Sequence, residues 1–202
     1  MLKKSLKNFL KCEGIANPDV IVRRGEFHHT CKSNIDLVRC HQIVQQTRDY
    51  IALLENEIGL LTPDQKEACE LCLSSCSRFI YKEHLDTKAT EIFAHHGWSL
   101  QQDGTVPLGV FISGPRRLGK TRLFSVIIAA ILLAVPGVVV LGLAAEPGPA
   151  VMLCEEVVDK VKILITLTKR GKIIRSSIEH FYVKVGDDTS KMHVFSARKH
   201  DG

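Results

Sequence analysis

Between residues 34 and 60, Ile35, Leu37, Val38, Ile43, Val44, Tyr50, Ile51, Leu53, Leu54 and Ile58 recur at near-helical spacing, which predicts one long helix or two shorter ones. Upstream, Lys3, Lys4, Lys7 and Lys11 alternate with Leu2, Leu6, Phe9 and Leu10, the pattern of a short amphipathic helix with a basic, solvated face. Asn17-Pro18-Asp19 and Gly25 mark turns around a short apolar run at Val20–Val22. Downstream, Thr62-Pro63-Asp64-Gln65 reads as a helix start. Thr62 is the N-cap, Pro63 takes the first helical position and Gln65 the third, where its amide closes a capping box. That helix is expected to run to about Leu85, with Cys69, Cys72 and Cys76 on one face. Three thiols on one helical face place at most two ligands well around a tetrahedral metal, so they read as core residues among Leu71, Leu73 and Phe79; a metal role would need ligands from elsewhere, such as His84. His95-His96, just before Gly97-Trp98, reads as an exposed loop pair without a role.

The longest apolar stretch, Leu123 to Ala145, carries no charge and has the length of a membrane span. Pro136-Gly137 interrupts it. Before the break it is rich in Ala, Ile and Leu, and after it the run from Val138 to Leu143 is β-branched, so it reads as a buried helix, a turn and a buried strand. A further helix is expected over residues 149–167, closing at Lys169-Arg170-Gly171 with cations near its C-terminus. The segments around 178–185 and 191–198, flanking Gly186-Asp187-Asp188, predict an antiparallel hairpin.

Composition narrows the class without choosing a function. With 202 residues, 45% hydrophobic and 24% charged, the chain has the make-up of one foldable domain, which excludes disordered and collagen-like classes. The formal charge of +5 permits a nucleic-acid partner without requiring one. Seven cysteines is an odd count, and the N-terminus has no apolar stretch of secretory type, so the thiols are expected to be reduced in a cytosolic or nuclear setting.

Chemistry enters at Val106. An apolar run, Leu108–Ile112, predicts a strand, and Gly114-Pro115-Arg116-Arg117-Leu118-Gly119-Lys120-Thr121 follows it at once, satisfying G-x-x-x-x-G-K-[ST]. A chance match to four constrained positions in a chain of this length arises about one time in a hundred. Such a loop wraps a β-phosphate with its backbone N–H groups, and Gly114 and Gly119 supply the dihedral freedom and close approach this needs. The following helix aims its positive end at the phosphates, Lys120 reaches the β/γ oxygens, and the Thr121 hydroxyl ligates Mg²⁺. Strand, loop, helix, turn and strand together predict a β-α-β unit with a right-handed crossover and a parallel sheet.

The stretch from Pro115 to Phe124, the apolar helix, the strand ending near Leu143-Ala144-Ala145-Glu146, the next helix, the hairpin and the terminal residues 193–202 together resemble the ATPase half of the large terminase subunit of herpesvirus-like and tailed-phage DNA-packaging motors. The resemblance covers about residues 61–202. It implies an α/β P-loop NTPase fold, with a parallel sheet flanked by helices, for 61–202, preceded by a helical region of unknown role at 1–60. It implies ATP and Mg²⁺ as cofactors, held by residues 114–121, with Lys120 and Arg116 acting on the phosphates in the manner of a catalytic lysine and an arginine finger. Leu61-Thr62-Pro63-Asp64-Gln65 is similar to the family's adenine-reading glutamine segment, which suggests Gln65 as a base contact, although the capping box accounts for that residue too. Phe195-Ser196-Ala197 resembles the segment preceding the family's Walker B strand. The implied partners are double-stranded DNA, a portal, a small terminase subunit and further copies of the chain in a ring, without a membrane. The implied location is the host nucleus, or the cytoplasm for a phage-like motor.

The resemblance also has departures. The family's apolar strand ending Asp-Glu, and the clustered carboxylates of its two-metal nuclease domain, do not occur in these residues. The expectation is therefore an N-terminal part of such a motor, coupling ATP hydrolysis to DNA translocation into a capsid only in the longer protein, with the present residues binding ATP and barely hydrolysing it. A helicase-like or other P-loop ATPase, or a non-hydrolysing nucleotide-binding module, stands as the alternative.

Overall fold

The structure, a computed structural model, describes residues 36–113, 119–177 and 179–196. The amphipathic helix and turns read at residues 2–25, and the terminal segment beyond Ser196, lie outside the described residues. So do Gly114, Pro115, Arg116, Arg117 and Leu118.

The near-helical pattern of residues 34–60 yields a single helix, α1, Leu37–Ile58. It starts where Asp36 accepts a hydrogen bond from the Arg39 N–H at 2.7 Å, an N-cap satisfying one of the orphan donors of the first turn. Helix α2, Pro63–Ser75, begins as the sequence dictates. Thr62 is the N-cap, its Oγ1 accepting from the Gln65 N–H at 3.3 Å while Gln65 Oε1 accepts from the Thr62 N–H at 3.0 Å.

The expected continuation to Leu85 does not hold. The chain breaks at Cys76, makes a short helix α3, Ser77–Tyr81, turns at Lys82 with φ +48°, and resumes as α4, His84–His96. Buried positions continue through the breaks (Leu73, Ser77, Ile80, Tyr81, Leu85, Ile92 and Phe93), so the apolar periodicity that suggested one helix survives while its axis is redirected. No glycine or proline marks the joint. A lysine with φ +48° and ψ −125° makes the turn instead, which tertiary packing and not local propensity decides.

Helix α5, Lys120–Ala134, is buried nearly all round, from Leu123 through Ala134. A helix apolar on every face belongs in a protein core or a membrane. Here it lies in the core, packed between α1 on one side and the next helix and the sheet on the other. Among the described residues no helix is long and apolar enough to cross a membrane. After the turn at Pro136-Gly137 comes strand β1, Val139–Ala144, then α6, Pro147–Thr168, then β2, Lys172–Ser176, β3, His180–Val185, and β4, Asp188–Ser196. The Ser190 hydroxyl donates to the Val135 carbonyl at 3.1 Å, stitching the end of α5 to the sheet.

The fold is mixed α/β, with a four-stranded sheet ordered β1-β4-β3-β2. Strands β1 and β4 are parallel, from Val139 opposite Lys191 to Ala144 opposite Ser196; the other two pairs are antiparallel. The hairpin expected around Gly186-Asp187-Asp188 is β3–β4, with Val185 opposite Asp188. Strand β2 has no counterpart in the sequence reading, because four of its five residues are exposed and only Ile173 turns inward, too little alternation to register.

The strand expected over Leu108–Ile112 does not form: this stretch carries no ladder, with Leu108 80% and Phe111 92% exposed. Apolar, β-prone residues make a strand only when a neighbour accepts their backbone hydrogen bonds, and among the described strands β1, at the sheet edge, pairs only with β4. The β-α-β unit expected around α5 is correspondingly absent from the described sheet. Its parallel pair is instead closed by the longer connection through α6, β2 and β3.

Candidate functional site

The loop sequence Gly114–Thr121 runs directly into α5. Lys120 and Thr121 are that helix's first two residues, and Gly119 stands at its N-cap with φ +77° and ψ +22°. This left-handed conformation is one glycine adopts without penalty, so the second glycine of the motif sits where the backbone requires it. Among the described residues no side-chain hydrogen bond caps α5 at Gly119, and its first turn carries no acidic residue. The amide N–H groups of a helix start, with the positive end of the helix dipole behind them, are a setting for an anion. Lys120 is half-buried and Thr121 exposed. The remaining predicted loop residues, Gly114, Pro115, Arg116, Arg117 and Leu118, lie outside the described residues, so only Gly119, Lys120, Thr121 and Gln65 have a described place.

The structure brings Gln65 to this point. Its Nε2 lies 2.7 Å from where a Cβ on Gly119 would stand, closer than side chains pack, so the absence of a side chain at 119 is what admits the amide. The capping box and the approach to the loop use different ends of one side chain: Oε1 holds the start of α2, and Nε2 meets the start of α5.

A third element is fastened here by a residue that sequence reasoning missed. Arg122, in the first turn of α5, donates through Nη2 to the carbonyls of Ile58 and Gly59, each at 2.7 Å, and so ties the last turn of α1 to the loop. A carbonyl at a helix C-terminus lacks an intrahelical partner and carries the negative end of the dipole, so a guanidinium satisfies it twice over. Arg122→Ala is expected to lower stability by about 1 kcal/mol, measured as a shift of the urea midpoint. An Arg122→Lys variant is expected to recover only part of it, because an ammonium lacks the planar fork. A signal existed: an arginine in register with Lys120-Thr121 on a helix otherwise apolar.

A second polar constellation lies between α1 and α4. His95 and His96 are not in a loop: they form the last turn of α4, which Gly97 closes at φ +70° while the Trp98 N–H returns to the Phe93 carbonyl at 2.9 Å. Glycine after a helix was the available signal. His41 Nδ1 stands 3.0 Å from His96 Nε2 and 3.0 Å from Tyr81 Oη, and Tyr81 Oη also contacts His96 Nε2. Arg48 forms a two-pronged pair with Glu70, at 2.9 and 2.6 Å, and donates to the His96 carbonyl at 3.2 Å. The Trp98 indole N–H donates to Glu70 Oε2 at 2.9 Å. Burial pushes His96 down to about 4, assisted by the Arg48 charge, and burial likewise lowers His41. Burial acts to raise Glu70, but the hydrogen bonds from Arg48 and Trp98 outweigh it and hold the carboxyl below its usual range.

The helix-face thiols behave as core. Cys69 is buried, with Cys72 and Cys76 half-buried, and all three are free. Burial pushes Cys69 up to about 12 and Cys76 to about 11, so both stay protonated and unreactive near neutral pH. Among the described residues, the group with the spacing of a metal site is the histidine trio and not these cysteines.

No protein-family model matches the chain, and no curated protein matches its sequence. Solved structures similar to it include the ATPase domain of a Thermus phage large terminase and an arginine-to-alanine mutant of that domain. Each is 22% identical to the chain, with a TM-score of 0.37 and a match covering 41% of this chain. The chain spans 38% of the length of each. A TM-score at this level does not define a common fold, and the chemistry of the site rests on the loop and the helix that continues it.

Proposed function

We propose that the protein binds ATP with Mg²⁺ at Gly114–Thr121, and that it is the ATP-binding part of a DNA-packaging motor of the large-terminase type. The observation carrying the nucleotide reading is that G-x-x-x-x-G-K-T ends at the start of a buried helix, with its second glycine left-handed at the N-cap and its lysine and threonine in the first turn. A glycine-rich turn that bound nothing would need neither the lysine nor the threonine at that register. In this reading the loop amides cradle the β-phosphate, Lys120 balances the β/γ charge, Thr121 ligates Mg²⁺ and Arg116 stabilises charge on the γ-phosphate. Gln65, at the mouth of the loop, is the candidate adenine contact.

The packaging assignment goes further than nucleotide binding. It is supported by the sequence resemblance over residues 61–202, and with it come double-stranded DNA, a portal, a small terminase subunit and a homo-oligomeric ring as partners, in the host nucleus or in the cytoplasm for a phage-like motor. Photo-crosslinking with an azido-adenine ATP analogue, followed by peptide mapping, tests the placement. Label is expected in the peptide at the start of α2 that carries Gln65, the candidate base contact, suppressed by excess ATP. Competed label confined to other peptides would overturn the site.

A further inference from the structure

We propose that His41, His95 and His96 bind one divalent transition ion of the zinc class, clamping the beginning of α1 to the end of α4. Each histidine offers a ring nitrogen, and the three lie within 4.8 Å of one another. Zinc–nitrogen bonds of about 2.0–2.1 Å in a tetrahedron set nitrogens about 3.4 Å apart. The His41 Nδ1 to His96 Nε2 edge, at 3.0 Å, is already of that size. His95 closes the triangle from the adjoining position on the same helical turn. Its ring centroid lies 4.1 Å from that of His41 and 4.9 Å from that of His96, and its side chain is exposed.

Three nitrogens leave a fourth position open, the composition of zinc sites that keep a water. Tyr81 Oη now contacts both His41 Nδ1 and His96 Nε2, and these contacts give way when the two nitrogens take the metal. The His96 backbone is held in advance: Arg48, itself locked to Glu70, grips its carbonyl, and the Trp98 ring lies 4.5 Å from the His96 ring at 30°. Coordination through His96 Nε2 places the ring proton on Nδ1, so the 3.4 Å contact from Arg48 Nη1 to Nδ1 is surrendered, together with the present hydrogen bonds of His96 Nε2 to His41 Nδ1 and Tyr81 Oη. An all-imidazole donor set selects Zn²⁺, Cu²⁺, Ni²⁺ or Co²⁺ over Mg²⁺ or Ca²⁺. The site is therefore distinct in chemistry from the Mg²⁺ position proposed at Thr121 and stands independently of it.

The test uses the 202-residue chain, reduced and stripped of metal. Zn²⁺ is titrated against a chromophoric chelator, and Co²⁺ is added separately for its visible spectrum. One equivalent of Zn²⁺ is expected to bind, excess Mg²⁺ failing to displace it, and His95→Ala, an exposed position that leaves the fold intact, is expected to weaken binding at least about tenfold. A His41→Gln variant, verified as folded by circular dichroism, is expected to do the same. Bound Co²⁺ is expected to show d–d bands without a thiolate charge-transfer band, and Cys69→Ser/Cys72→Ser/Cys76→Ser to bind Zn²⁺ as the parent does. Failure to bind, an affinity indifferent to His95→Ala, a thiolate band, or loss of binding in the cysteine variant would each overturn the assignment.

Discussion

Lys120→Ala is expected to weaken Mg²⁺–ATP binding by at least about a hundredfold, or about 2.7 kcal/mol, with a far smaller effect on the thermal midpoint of the free protein. The size follows from position. Lys120 stands at the first residue of α5, next to a left-handed glycine, where in the proposed site its ammonium would meet the β/γ oxygens of a nucleotide held by the loop amides. The fold is spared because the buried part of α5 starts at Leu123, one turn beyond. Isothermal titration of both forms, beside their melting curves, separates the two effects. A variant that bound ATP like the parent would exclude the lysine, and with it the phosphate loop, from nucleotide binding.

Gly119→Ala is expected to cost about 2 kcal/mol of stability and to weaken nucleotide binding with it. Two costs of about 1 kcal/mol each combine. A non-glycine residue at φ +77° is strained. The new Cβ, 2.7 Å from Gln65 Nε2, also drives the amide away and opens the capping box that starts α2. The second cost depends on Gln65 and the first does not. In a Gln65→Ala background the same substitution is therefore expected to cost only about 1 kcal/mol, as read from urea midpoints of the four proteins in the cycle. Equal costs in both backgrounds would show that Gln65 and Gly119 are not coupled.

Much of this arrangement was legible in the sequence, and the exceptions share a cause. Helix starts announced themselves through local chemistry, as with Thr62-Pro63-Asp64-Gln65, whose capping box forms as read. The apolar stretch 123–145 resolved into α5, a turn and β1 because Pro136-Gly137 and the change to β-branched residues are local signals too. What escaped depends on distant partners. The break at Cys76 and Lys82 lies inside an unbroken apolar period, and Leu108–Ile112 has strand composition without a strand's neighbour. Arg122 acquires its role from carbonyls 63 and 64 residues earlier in the chain. His41 and His96 are separated by 55 residues, so no spacing rule joins them. Of the proposed nucleotide site, the motif is read from the sequence, whereas the closeness of Gln65 to Gly119 belongs to the packing of α2 on α5.

Whether Gly114–Thr121 holds a nucleotide is decided by calorimetric titration of the 202-residue chain with ATP, with and without Mg²⁺. One site per chain is expected, tightened by Mg²⁺ in the parent but not in Thr121→Ala, whose exposed hydroxyl at the second residue of α5 is the proposed ligand. A folded parent protein that takes up no ATP in the presence of Mg²⁺ would contradict the assignment of the loop.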